Sequence, residues 1–192
     1  MTDSLAHNRY VLLALAGLLV LPACKEGEPG ESAAVAEAPA HTAPTLESAQ
    51  SMGVPNARMP VPGVLTAGQM SQAQFEGLVA AGYENFISLR VASESGAGWE
   101  EAFASGRDVA FTRLPVAGAD GLTRESVEEL ARLMDEAGGP TVVYCGSSNR
   151  VGALMALKAH WVDGMPADEA LAVGTRSGLA GLEPAVRQLL GM

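Results

Sequence analysis

Histidine, cysteine and positive charge are all scarce in this chain, and each scarcity removes a class of function. Three histidines in 192 residues cannot build the His and carboxylate clusters that metal sites use, so neither a metal nor a cofactor is expected. Twelve Lys and Arg against 22 Asp and Glu leave a net charge of −10, which repels a phosphodiester backbone and argues against a nucleic-acid partner. From Ser51 onward ten basic residues face sixteen acidic ones, so this domain is less acidic than the whole chain. The longest apolar run, residues 10–21, has 12 residues, short of the ~20 that cross a bilayer. There are two cysteines, Cys24 and Cys145, and no internal repeat.

What the N-terminal stretch does have is the order of an export signal: polar residues 1–8, the cation Arg9, the apolar run, then Leu21-Pro22-Ala23-Cys24. This ending resembles the lipobox of bacterial lipoproteins. The resemblance implies cleavage before Cys24 and lipidation of its thiol, with an anchor that is stable once two or more acyl chains are attached. Lys25, where an Asp is absent, resembles sorting to the outer membrane of a Gram-negative cell envelope, facing the periplasm. The alternative is a soluble secreted protein with a chance Cys. Residues 25–50 are mostly Ala, Glu, Pro, Ser and Thr with no aromatic residue, the composition of a disordered linker. The chain thus divides into a signal peptide at 1–23, a lipidated Cys24 with its linker to residue 50, and a catalytic domain over 51–192.

With Cys24 spoken for, Cys145 is a lone thiol, and its surroundings are ordered for chemistry. The β-branched run before it predicts a strand over residues 141–144. Gly146, Ser147, Ser148 and Asn149 then form a small polar loop, and a helix begins near Arg150. Such a turn points backbone N–H groups into one concavity at a helix N-terminus, where anions bind. A thiol there ionises more readily than its free value of ~8.5 and becomes a nucleophile. Arg150 is placed to fold its planar fork back over the loop and grip two oxygens of a tetrahedral anion. A small buried apolar cysteine at a strand end is the bland reading.

These residues resemble the active-site loop of the cysteine-based phosphatases, and within them the small phosphatase-like domain of beta-lactamase-hydrolase-like proteins. Gly63-Val-Leu-Thr-Ala-Gly-Gln69, Gly82-Tyr-Glu-Asn-Phe-Ile-Ser-Leu-Arg90 and Leu114-Pro115-Val116 extend the resemblance over about residues 60–190. It implies hydrolysis of a phosphorylated substrate, protein or small molecule, through a phosphocysteine. Cys145 is then the nucleophile, the loop amides and Arg150 hold the phosphoryl oxygens, and Asp120 on a neighbouring loop is the acid that protonates the leaving group. As an Asp before a glycine and a helix, Asp120 also fits an ordinary turn. Two departures stand out. Tyrosine and dual-specificity phosphatases separate Cys and Arg by five residues, whereas here there are four, the spacing of that small phosphatase-like domain and also the loop length of rhodanese-type sulfurtransferases. Val151 occupies the position where many phosphatases carry a Ser or Thr beside the leaving thiolate, and Ser147 and Ser148 are the hydroxyls available instead. The rival readings are therefore sulfur transfer through a Cys145 persulfide and a non-catalytic anion-binding module.

Strands are predicted over 64–67, 85–89, 109–114 and 141–144. Helices are predicted from Ser71 to Gly82, over 99–104 and 124–137, from 151 to 161, and near 167–175 and 183–190. The three prolines between Ser51 and Pro62 suggest an irregular lead-in. Arg90 closes its strand either as a solvated charge or, by the resemblance, near the site mouth. Trp99 reads as packing, and His160 as a helix-end histidine too distant to act on Cys145. Strands alternating with helices imply an α/β fold, a single mainly parallel sheet of four to five strands flanked by helices, with the site at the strands' carboxyl ends.

Overall fold

A computed structural model describes residues 44–192. The signal segment, Cys24 and most of the linker lie outside the described residues. Five strands form one sheet in the order β1-β2-β5-β3-β4: β1 (Arg58–Val61), β2 (Val64–Ala67), β3 (Asn85–Ser88), β4 (Ala110–Arg113) and β5 (Thr141–Tyr144). β2, β5, β3 and β4 run parallel, and only the edge strand β1 is antiparallel. The α/β, mainly parallel architecture expected from the sequence is the one observed.

Among the described residues seven helices cover the sheet: α1 (Leu46–Ser51), α2 (Gln72–Ala80), α3 (Glu100–Ser105), α4 (Arg124–Glu136), α5 (Asn149–Trp161), α6 (Ala167–Ser177) and α7 (Glu183–Leu189). Side chains alternate across a strand, so Val142 and Tyr144 pack with Phe75, Leu78, Phe86 and Ala49 on the α1–α3 face. Val143 and Cys145 point the other way, into a core shared with Val127, Leu130, Val151, Leu154 and Leu157. Trp99 packs edge-on against Phe75 and Phe103, as expected of a packing residue.

Two local features depart from the sequence reading. The ordered chain reaches back before Ser51, because Thr45 caps α1 by accepting from the Ser48 amide and Ala49 is fully buried. The proline-rich stretch before residue 62 contains β1, in which Pro60 is tolerated because an edge strand pairs on one side only.

β5 lies between β2 and β3, although they are adjacent strands in sequence. The chain after β2 therefore crosses over β5, and the carboxyl end of β5 opens at the point where the connections diverge, the usual location of ligand clefts in such sheets. Cys145 is the first residue beyond that end. α5, which follows the loop, is apolar on nearly every side and buries Val151 through Leu157. It also approaches α6 and the residues after it at backbone range: a Cβ on Gly152 would lie 2.7 Å from the Gly174 carbonyl of α6 and fall inside the backbone of Leu179 just beyond that helix. Tight packing therefore fixes the base of the loop.

Candidate active site

The loop after β5 is held by its carbonyls. The Cys145 amide donates to the Ala67 carbonyl at 3.2 Å, ending the β2–β5 ladder. The Gly146 carbonyl then accepts from the Gln69 amide at 3.1 Å, the Ser147 carbonyl from Asn56 Nδ2 at 3.2 Å, and the Ser148 carbonyl from the Gly152 amide at 2.9 Å. With three successive carbonyls turned outward, the N–H groups are left to the concave side. The amides of Gly146, Ser147, Asn149 and Arg150 donate to no protein acceptor among the described residues, while the bridge between Gly68 and Ser147 turns the Ser148 amide toward the Ala67 carbonyl. Such a run of unengaged donors at a helix N-terminus is an anion cradle.

The turn requires Ser148 to adopt a left-handed conformation, φ 67°, in which a non-glycine residue is uncommon. Its hydroxyl donates to the Ser177 carbonyl at 2.9 Å, which ties the loop to the end of α6. Gly178, at φ 110°, makes room for this contact, since a Cβ there would lie 2.5 Å from Ser148 Oγ. Of the two hydroxyls offered to the leaving thiolate, Ser148 is thus committed elsewhere and only Ser147, on the exposed rim, is uncommitted. Asn149 contributes a second tie, its Oδ1 accepting from the Ala180 and Leu182 amides at 2.8 and 3.2 Å.

Arg150 folds back as its position in the first helical turn suggests. Its Nη2 comes within 3.5 Å of where a Cβ on Gly146 would stand. Nη1 donates to Glu94 Oε1 at 2.6 Å, the Val116 carbonyl at 2.9 Å and the Leu89 carbonyl at 3.3 Å, while Nη2 donates to Glu94 Oε2 at 2.8 Å. A guanidinium has five N–H donors. Nη1 is saturated, and the Nε–H together with one N–H of Nη2 has no carbonyl or carboxylate acceptor among the described residues, with the Cys145 sulfur within hydrogen-bonding reach of the guanidinium. That free edge is the pair of parallel donors that fits two oxygens of a tetrahedral anion. The Glu94 hydrogen bonds raise the pKa of Arg150 against the cost of desolvation, and Cys145 is close enough to add to the rise. Reciprocally, the bond from Arg150 lowers the Glu94 carboxyl to about 2, helped by the Val91 amide and by the charge of Arg90.

Cys145 is 1% exposed and packs in the core beneath the loop, beside the Arg150 guanidinium, with Gly146 and Ser147 as the exposed rim. Val151 is buried in the same core. Asp120 stands in the exposed turn between β4 and α4 and makes no hydrogen bond or ion pair among the described residues. Its loop nevertheless opens at the same end of the sheet, and the Val116 carbonyl of that loop touches Arg150. The structure thus gathers Cys145, Gly146, Ser147, Ser148, Asn149 and Arg150 into one loop and leaves Asp120 on a neighbouring one. His160 is far along α5 with Nδ1 against the Met165 carbonyl, a helix-end role as expected.

Sequence reasoning missed what stands behind Arg150. Arg90 is no solvated strand end: it is 2% exposed and reaches Glu94, Glu100 and the Ser95 carbonyl. Glu100 is fully buried and also accepts from Ser88 Oγ at 3.1 Å and Arg113 Nη1 at 3.0 Å. Charges of alternating sign therefore run from Arg150 through Glu94, Arg90 and Glu100 to Arg113. The only sequence signal for Glu94 was its position four residues after a strand-ending Arg. The burial of Glu100 beneath the 91–99 loop had none.

No known protein-family model matches the chain, and no curated protein does. Solved structures do match. A candidate phosphatase of the DUF442 group from Shewanella putrefaciens CN-32 superposes with a TM-score of 0.60 at 19% identity, covering 77% of this chain and 97% of that one. A candidate phosphatase from Neisseria meningitidis Z2491 gives 0.58 at 20% identity, over 68% and 96%. Tk-PTP in its active form gives 0.55 at 18% identity, over 71% and 96%. At these identities the similarity establishes a shared fold.

Proposed function

We propose that the chain is a cysteine-dependent phosphomonoester phosphatase. The observation that carries this reading is the ring of donors in the loop that begins at Cys145: the amides of Gly146, Ser147, Asn149 and Arg150, which meet no protein acceptor among the described residues, and the Arg150 guanidinium, which lies within reach of the Cys145 sulfur. A trigonal-bipyramidal phosphoryl group presents three equatorial oxygens to such a ring, and donors already in place stabilise its charge without reorganisation. The sulfur attacks phosphorus in line, the phosphorus–oxygen bond to the leaving group breaks, and Asp120 gives the departing oxygen its proton. Water then attacks the phosphocysteine, Asp120 takes back a proton, and phosphate leaves with the thiolate restored. The phosphatase descriptions of proteins sharing the fold support the same reading.

One observation favours a second reading. Four residues between Cys145 and Arg150 make a tight loop, which also suits a persulfide carrier. A side-by-side assay on aryl phosphates and on thiosulfate with cyanide separates the two. Phosphate release that disappears in Cys145→Ser supports the phosphatase. Thiocyanate formation without phosphate release supports sulfur transfer, and full activity in Cys145→Ser refutes both.

As to location, the reading from Leu21-Pro22-Ala23-Cys24 is that the domain works in the cell envelope, tethered to the membrane by lipid on Cys24. Incorporation of labelled palmitate that is lost in Cys24→Ala tests it.

A further inference from the structure

Glu94, which braces Arg150, sits on the 91–99 loop, and apolar burial does little to hold that loop: among residues 91–98 only Ala97 is buried. Its place is set by polar ties. Arg90 Nη2 donates to the Ser95 carbonyl at 2.7 Å, and Gln69 Nε2 donates to the Ser95 and Gly96 carbonyls at 3.4 and 3.3 Å. Arg113, at the carboxyl end of β4, reaches both ends of the loop at once. Its Nη1 donates to the Arg90 carbonyl at 3.1 Å and its Nη2 to the Ala97 carbonyl at 3.3 Å. Carboxylates of α3, just beyond the loop, take the rest of the fork: Glu100 Oε2 accepts from Nη1 at 3.0 Å and Glu101 Oε1 from Nε at 2.9 Å. No hydrogen bond joins Arg113 to the Cys145 loop or to the Arg150 side chain among the described residues, so its influence on the site passes through the loop it clasps.

We propose that Arg113 is a positioning residue: by clasping the two ends of the 91–99 loop it sets where Glu94 stands, and through Glu94 the plane in which Arg150 meets the anion. A planar fork with fixed donor directions holds two carbonyls and two carboxylates together, which a point-charge ammonium on a flexible stem does not. The charge of Arg113 serves the buried Glu100, while its shape serves the loop. The two roles separate in Arg113→Lys, which keeps a cation beside Glu100 and gives up the paired carbonyl contacts. The effect on rate rests on the phosphatase reading, whereas the effect on anion binding does not.

The test is a double-substitution cycle in the full chain, with two readouts: turnover of para-nitrophenyl phosphate, and binding of inorganic phosphate to the Cys145→Ser form. Arg113→Lys is expected to lower kcat/KM by about tenfold and to weaken phosphate binding with it. In a Glu94→Ala background the same substitution is expected to change either readout by less than about twofold, because the contact it works through is already gone. A loss of equal size in both backgrounds marks a merely structural role and overturns the proposal, as does full activity and affinity in Arg113→Lys. Arg113→Gln is the second variant, compared in the two backgrounds in the same way, and equal losses there overturn the proposal too. Absence of turnover in the unmutated protein, with the substitutions still non-additive in phosphate binding, overturns the phosphatase reading alone. If there is neither turnover nor phosphate binding, both fall.

Discussion

Glu94 grips Arg150 with both carboxylate oxygens, at 2.6 and 2.8 Å, from a loop 56 residues away in sequence. The contact takes one edge of the guanidinium and leaves the other facing the amide cradle. It fixes the plane of the fork before any ligand arrives, which is how positioning lowers the barrier to a later chemical step. Replacing Glu94 by Gln removes the charge while keeping the shape. The expected result is a loss of about tenfold or more in kcat/KM for aryl phosphates, with Glu94→Asp recovering part of it.

The same pair gives an acid-stability signature. Glu94 has a folded pKa near 2 against an ordinary value of 4.5. Its stabilisation is therefore fully present above about 4.5 and is lost as the pH falls towards 2. The Glu94→Gln protein should be less stable than the unmutated one at pH 7, by about 1 kcal/mol once the solvent-facing part of this carboxylate is allowed for, and should melt correspondingly lower. The gap should be narrowed but still open at pH 3, because closing it requires protonation of the folded carboxyl near pH 2. Melting curves at the two pH values check it, and a gap that widens in acid contradicts the pairing.

Cys145→Ser should abolish phosphate release, by at least about 10³-fold, because a hydroxyl is a far weaker nucleophile at neutral pH. The amides are untouched, so binding of inorganic phosphate should persist. Arg150→Ala should lose about 10²–10³-fold in rate and weaken phosphate binding with it. Single-turnover kinetics and calorimetry on the same preparations separate the two effects.

Asp120 is tested by leaving group. If it supplies the proton, Asp120→Asn should slow phenyl phosphate by about 10²-fold and para-nitrophenyl phosphate much less, since nitrophenolate leaves without protonation. Equal slowing of both substrates, or none, removes Asp120 from the chemistry.

Glu100 lies between two guanidiniums with no access to water. Its removal leaves Arg90 and Arg113 as buried charges with reduced compensation, so Glu100→Ala should cost about 3–5 kcal/mol. In thermal denaturation that appears as a Tm lower by roughly 10 °C. A shift of only a degree or two would mean that water or another carboxylate takes its place.

Much of this molecule was legible in its amino acids because the signals are local. The β-branched run Thr141–Tyr144, the break at Cys145 and the apolar segment beyond it fall within some twenty consecutive residues, and periodicity and turn chemistry act over that range. The loop's capacity for anions follows from the same stretch, since backbone amides at a strand-to-helix turn have few other orientations. α1 was absorbed into the linker because its one short turn carries little periodicity, and its burial depends on a groove built elsewhere. β1 was obscured by prolines that only an edge position tolerates.

Neighbour relations across the sheet were decided by the fold alone. Order β1-β2-β5-β3-β4 brings the 91–99 loop to one flank of the Cys145 loop and the segment before β1 to the other, and no local pattern encodes which strand lies beside which. Spacing along the chain therefore determined that a cysteine sulfur and a guanidinium would share a turn. Long-range packing determined which carboxylate braces that guanidinium and which serine is tied to the end of α6, because such partners are chosen by distance in space, not along the chain.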